Sequence, residues 1–124
     1  MLKQIKDATE SILDLNFTMQ AMVITDGEGA TIRPVVSSDN DFFIDKTRTK
    51  ILSVQYIVRS QDWQVAYNEI NNVHELWVNN ELGLEEISKI TCTNNPVFVE
   101  LDERGFYVYT SIYNFEIEEM NANG

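Results

Sequence analysis

The sequence predicts an α+β fold: a single domain in which an antiparallel or mixed β-sheet carries two helices packed on one face. An alternating strand at 49–59 leads almost directly into an amphipathic helix that ends near Asn79. A clear hairpin follows towards the end of the chain. Strands and helices do not alternate regularly, which argues against a doubly wound parallel fold. We expect the domain to span residues 1–118, with a frayed polar tail at 119–124.

The first third of the chain predicts one helix and one hairpin. Apolar residues recur at helical spacing over 2–16. Two short strands, 20–25 and 30–36, flank a turn with two glycines and are expected to pair as a hairpin. Pro34 has no N–H to donate to a neighbouring strand, so it places the second of these strands towards a sheet edge.

The central strand and helix form a packing unit with no nucleophile, metal-ligand pair or phosphate loop. Ser60 is the expected N-cap of the helix. Trp63 and Trp77 lie fourteen residues apart, about four turns, so we expect both to face the sheet. The apolar stripe of the helix consists of Trp63, Ala66, Tyr67, Ile70, Val73 and Trp77.

The last part of the chain predicts a strand at 87–93 and a hairpin formed by 97–101 and 106–117. Gly105 suits the left-handed position of the connecting turn. Four aromatic residues share one face of the final strand by parity, and such a stripe is most often core or sheet packing, whereas on a solvent-facing sheet it would be a binding surface. They are Tyr107, Tyr109, Tyr113 and Phe115.

Composition narrows the range of functions. The 124 residues carry a net charge of −11, which disfavours direct binding to nucleic acid or to anionic membranes. With 44% hydrophobic residues the chain can form a core without metal or disulfide bonds. Cys92 is the only cysteine, and the first residues lack the apolar run of a secretory signal. We therefore expect a soluble protein made inside the cell.

No set of residues predicts catalysis, a metal site or a cofactor. His74 and Cys92 lie on different elements and are too few for a zinc site, which needs at least three protein ligands. Asp39, Asp41 and Asp45 could chelate a cation, but the glycine and glutamate of a calcium-binding EF-hand loop are missing. The prediction is that the protein is not an enzyme and acts through its surfaces.

The order of elements resembles a known family. A first helix and a hairpin are followed by a strand at 51–59, a helix around Ala66, Ile70 and Leu76, and a closing strand at 106–117. This pattern, over about residues 2–117, is similar to the small head–tail joining proteins of long-tailed bacteriophages, the minor capsid proteins or tail terminators. The resemblance is one of pattern, without a catalytic motif.

The resemblance implies a structural protein of the virion, made in the host cytoplasm and placed at the head–tail junction. It implies a homo-oligomeric, hexameric ring that ends the tail tube and docks it to the head. The implied partners are the tail tube protein and a head completion or connector protein, with no membrane. DNA would pass through the ring without specific binding, and an acidic lumen suits that passage because it repels phosphate.

A ring subunit needs exposed sheet edges and a segment that becomes ordered on docking. The polar segment 37–46 is the candidate for docking. The expected interface residues are Pro34, Ser38, Asp39, Asp41, Phe42, Phe43, Asp45 and Lys46.

Two other functions remain as alternatives. An acidic protein can mimic DNA and inhibit a DNA-binding protein, although here the acids are scattered over loops and strand ends. A small enzyme using Cys92 or a carboxylate pair is the weakest alternative, because no base, orienting residue or oxyanion donor can be assigned.

Overall fold

A computed structural model describes residues 1–22, 27–35 and 49–118. The described residues form one five-stranded sheet in the order β1-β2-β3-β5-β4, with two helices. Strands β1 and β2 are parallel, and the other neighbours are antiparallel, so the sheet is mixed. The α+β prediction is confirmed. The elements are α1 (Leu2–Ile12), β1 (Met19–Ala21), β2 (Gly29–Pro34), β3 (Thr49–Ser60), α2 (Trp63–Val78), β4 (Ile87–Leu101) and β5 (Tyr107–Glu118).

The core lies between the sheet and α2. Alternate residues of β3 point to this side, and Val54 and Tyr56 are fully buried there. Tyr113 lies directly opposite Val54 on β5 and is also fully buried, as the parity of the aromatic stripe predicts. Helix α2 contributes Ile70 and Trp77 to the core, and neither side chain has any exposed surface. We call this side of the sheet the helix-covered face.

Helix α1 packs on the same face, over β1 and β2. Its Ile5 is fully buried together with Met19 and Ile32 of those strands. The indole Nε1 of Trp77 donates a 3.0 Å hydrogen bond to Oγ1 of Thr9, which is itself fully buried. This bond joins the two helices, so they lie on one face as predicted.

The opposite face carries a network of polar side chains and is covered by no helix of the described ranges; we call it the open face. Ser53 Oγ donates to Asn114 Oδ1 at 2.5 Å, between directly paired residues of β3 and β5. Arg33 Nε donates to Gln55 Oε1 at 2.8 Å, and Gln55 Nε2 donates to Thr110 Oγ1 at 2.9 Å. Hydrogen bonds therefore cross three strands on this face.

The first helix is shorter than its sequence pattern predicts, because it ends at Ile12 rather than near residue 16. Leu13 already has an extended backbone. The carboxylate of Glu69 on α2 accepts hydrogen bonds from the backbone N–H groups of Asn16 and Phe17, at 3.1 and 3.0 Å. This long-range contact holds the following segment in a non-helical conformation.

The predicted hairpin between the first two strands is wrong. β1 and β2 run parallel, with Met19 opposite Ala30, and residues 23–26 between them lie outside the described ranges. The backbone N–H of Met19 donates to Oε2 of Glu10 on α1, which fixes the start of β1 from the helix. Pro34 lies at the end of an internal strand, beyond Ala21 where β1 stops, so its missing N–H interrupts no β1–β2 pairing.

The N-cap of α2 is Asp62, two residues after the predicted Ser60. Asp62 Oδ1 accepts from the backbone N–H of Gln64 at 2.9 Å, while Ser60 Oγ accepts from the N–H of Asp62 and donates to Glu28. Ser60 and Asp62 thus each accept a hydrogen bond from a backbone N–H group two residues further along the chain. These N–H groups have no carbonyl partner within the helix.

The predicted final hairpin is confirmed, with Gly105 at φ +85° in its turn. The two predicted segments 87–93 and 97–101 form one continuous strand of 15 residues, β4, which includes Pro96. Its pairing with β5 is irregular at four places. Since β4 is at the edge of the sheet, a proline is tolerated there.

Candidate interaction surface

Of the predicted docking residues, only Pro34 is described. It is exposed at the end of β2. The other seven lie within residues 36–48, outside the described ranges, so their predicted role stays a prediction. They are Ser38, Asp39, Asp41, Phe42, Phe43, Asp45 and Lys46.

The two side chains with potential for nucleophilic chemistry have structural contacts instead. Nδ1 of His74 lies 2.8 Å from the hydroxyl of Tyr113, and the two rings are in contact. Cys92 Sγ donates to Oδ1 of Asn95 at 3.3 Å. Burial raises the pKa of the Cys92 thiol above its ordinary value, which disfavours the thiolate, the nucleophilic form. Neither contact activates a nucleophile.

Glu69 is the one buried carboxylate among the described residues, and it too has a structural role. Its side chain is 1% exposed and accepts from two backbone N–H groups and from Nδ2 of Asn16. These three donors compensate for the loss of hydration. Within the described ranges no three histidine, cysteine or acidic side chains are grouped closely enough to hold a metal ion.

A cluster of exposed and partly exposed aromatic side chains lies where α2 begins and the β4–β5 hairpin ends. The ring of Tyr67 contacts Trp63 at 6.4 Å and Tyr109 at 6.1 Å between centroids. Phe98 in turn contacts Tyr109 at 5.6 Å and Tyr107 at 6.4 Å. We call these five residues the aromatic patch. Trp63, Tyr67 and Phe98 keep 48%, 50% and 48% of their surface exposed.

The aromatic patch corrects the expectation that both tryptophans of α2 face the core. Trp77 is fully buried, but Trp63 is the first residue of the helix and lies beyond the residues that the core encloses. Helical spacing places both on one side of α2, but the buried part of the stripe begins only at Ala66. Exposed aromatic clusters of this kind are typical of interaction surfaces.

The edge strand β4 continues the aromatic patch. Val97, Val99 and Leu101 are 51%, 52% and 53% exposed. No charged side chain occurs from residue 90 to 99. Sheet edges are usually protected by charges, prolines or bulges, because their unpaired N–H and C=O groups attract other strands. Here bulges and Pro96 provide some protection, and the exposed charges of β4, Lys89 and Glu100, lie outside residues 90–99.

The tip of the β4–β5 hairpin is held by Asp102. Its Oδ1 accepts from the backbone N–H groups of Phe106 and Arg104, and its Oδ2 accepts from Nη2 of Arg59 at 2.5 Å. These hydrogen bonds, first that of Phe106, lower the pKa of Asp102 below its ordinary value. The guanidinium of Arg59 also lies 5.4 Å from the centre of the Phe106 ring. The tip is therefore an ordered support for the exposed end of β4.

The sequence contains a signal for the β4 surface. Val97, Phe98 and Val99 are consecutive apolar residues, so a strand places at least one of them on each face and must expose at least one unless both faces are covered. Only the order of strands in the sheet shows that this run lies on an edge.

No known protein-family model matches this sequence, and a search of curated proteins finds none that is similar to it. Neither helix of the described ranges is long and apolar enough to cross a membrane. The surface described above is therefore the basis for a functional proposal.

Proposed function

We propose that this protein is a structural component of a bacteriophage tail, and that it forms a ring that terminates the tail tube and joins the tail to the head. The observation that carries the proposal is the edge strand β4, whose apolar residues 97–99 are exposed beside the aromatic patch. A protein with such an edge gains stability when another chain covers it. That need is met in a ring, where every subunit has neighbours.

The charge of the chain supports the same proposal. DNA must move through the junction between head and tail without binding to its wall. A subunit with a net charge of −11 repels phosphate and keeps the passage free. The tail tube and a head completion or connector protein would be its partners on the two sides of the ring.

The arrangement of reactive groups agrees with a structural role. The thiol of Cys92 has a raised pKa, and His74 contacts a tyrosine hydroxyl. Within the described ranges, the hydrogen-bond partner of each side chain is a tyrosine hydroxyl or an asparagine amide rather than a base that would activate a nucleophile. The His74–Tyr113 contact joins α2 to β5, and Cys92 on β4 packs against the core.

Electron microscopy with purified tail tubes tests the proposal. Tubes incubated with the protein are expected to carry a ring of density at one end and to stop growing there. Light scattering is expected to show an oligomer, either free or on contact with tubes. Tubes that stay open and keep growing at saturating protein would contradict the proposal. Recovery of a DNA-binding enzyme in a pull-down, released by duplex DNA, would favour the DNA-mimic alternative instead.

A deletion tests the proposed docking segment separately. Removing residues 38–41 is expected to leave the melting temperature nearly unchanged and to impair capping of tubes. A companion variant replaces the same four residues by Gly-Ser-Gly-Ser, which removes their side chains but preserves the length of the segment. Loss of folding on deletion would assign the segment to the core rather than to docking.

A further inference from the structure

The exposed apolar residues of the described ranges occupy two opposite edges of the molecule. Six of them lie at the β4 edge and the start of α2, while Ile12 and Met22 lie at the end of α1 and just after β1. β1 and β4 are the two outer strands of the sheet, four inter-strand spacings apart, which is about 19 Å. The six are Trp63, Tyr67, Val97, Phe98, Val99 and Leu101.

The two edges differ in shape. At the β4 edge the aromatic patch and the end of the strand project from the sheet. Before β1 begins, the segment that follows α1 lines an open depression of about 330 Å³, formed by the apolar Leu13, Leu15 and Phe17 and by Glu10, Asp14 and Thr18. That volume is near the lower limit of pockets that hold a small ligand.

Charge does not oppose contact between the two edges. Residues 1–22 carry two lysines and three acids, and the tip of the β4 hairpin with Arg59 carries two arginines and three acids. Each edge is thus close to neutral, although the chain as a whole is strongly acidic. Like-charge repulsion is concentrated elsewhere on the molecule.

We infer that the subunits associate head to tail, with the β4 edge and aromatic patch of one copy seated on the α1–β1 edge of the next. This inference rests on the proposed ring and assigns the contact between neighbouring subunits, which we call the seam. Two different surfaces on opposite sides of a subunit are what a heterologous contact requires, and such contacts close into a ring when the rotation between subunits permits. A second copy of the chain is therefore the occupant of the β4 edge.

The size of the exposed surface agrees with such a contact. Large aromatic side chains bury about 150–250 Å² each, so three that are half exposed offer roughly 75–125 Å² apiece. Together with the half-exposed aliphatic residues of β4, the edge offers on the order of 500 Å² of apolar surface. A standard interface buries about 800 Å² on each partner, rim included.

Charge-introducing variants on the two edges test the inference. Phe98→Asp on one edge and Met22→Asp on the other are each expected to weaken association on the order of 30-fold or more, measured by light scattering and analytical ultracentrifugation of the full chain. Asn72→Asp, on the exposed side of α2, adds the same charge away from both edges and is expected to change nothing. Met22 has φ +72°, a conformation that aspartate tolerates, and circular dichroism checks that each variant folds.

Mixing the two edge variants gives the decisive result. Each variant keeps one intact edge, so an equimolar mixture is expected to form a heterodimer with one native seam and no ring. A two-fold contact between β4 edges would instead be lost with Phe98→Asp, would survive Met22→Asp and would not be restored by mixing, which would overturn the inference. If either variant fails to fold, Val99→Asp and Ile12→Lys replace them at the same edges.

The outcomes for the seam and for the proposed function are distinct. Rings and capped tubes that persist in both edge variants would overturn the seam and leave the proposed function standing. Wild-type rings that break apart in both variants but never cap tubes would support the seam and overturn the function. A wild-type chain that stays monomeric at about 1 mM, with and without tubes, would overturn both.

Discussion

Replacing Trp77 by alanine removes the largest fully buried side chain of the described residues. The indole packs edge to face against Tyr113 and Phe115, with ring centroids 5.0 and 5.3 Å apart, and contacts Tyr56 at 5.7 Å. It also donates to the Thr9 hydroxyl. Tryptophan-to-alanine changes in cores cost about 3–5 kcal/mol, and the loss of these ring contacts and of the hydrogen bond places this one near the upper limit.

The same helix supplies a matched control. Trp63 is the same residue type on the same side of α2, but 48% of it is exposed, so Trp63→Ala is expected to cost less than about 1 kcal/mol. Urea unfolding followed by far-ultraviolet circular dichroism measures both variants without relying on tryptophan fluorescence. The midpoint is expected to fall by roughly 2 M for Trp77→Ala, given slopes of about 1–3 kcal/mol per M. Equal losses in the two variants would refute the distinction between core and patch.

Three further predictions concern single polar groups. Glu69→Ala leaves three N–H donors after α1 without their acceptor and is expected to cost about 3 kcal/mol or more in urea unfolding, whereas the exposed Glu75→Ala should stay within about 0.5 kcal/mol. Asp102 has a lowered pKa in the folded state, so its stabilising effect is present above the ordinary aspartate pKa and is lost as pH falls through the folded pKa. The stability difference between wild type and Asp102→Asn should therefore shrink as the pH falls below about 5, and a constant difference would contradict this. Cys92, with its raised pKa, should react with a disulfide reagent at pH 7 more slowly than a free thiol peptide, and a faster reaction would show that the thiol is activated.

Local patterns in the sequence predict the centre of this fold well. The alternation along β3 and the parity of Tyr113 and Phe115 on β5 identify the buried face correctly, because a half-buried strand must segregate its side chains by side. The turn at Gly105 is equally local. These features depend on residues close together in the chain, and so they can be derived from the sequence.

The errors arise where a distant residue decides the local conformation. Glu69 captures the N–H groups that would otherwise extend α1, and Glu10 holds the N–H of Met19 at the start of a parallel strand. Helical spacing could not show that Trp63 lies beyond the core, because the burial of a helix residue depends on which part of the sheet lies below it. The aromatic patch likewise could not be predicted from local patterns, because only the order of strands shows that Phe98 lies on an outer strand.

The position of β5 has a consequence for how the chain folds. β5 lies between β3 and β4, and its pairing with β3 joins residues as far apart as Thr49 and Glu118. During synthesis the strands made earlier therefore cannot form the complete sheet until β5 has been made. The hairpin of β4 and β5 is the local step, and closure onto β3 is the slow one, because the entropy of a long loop is lost before the contacts form. A chain shortened before Tyr107 lacks β5, the strand that connects β4 to β3. In a nascent chain of that length, the edge of β3 that later pairs with β5 is exposed.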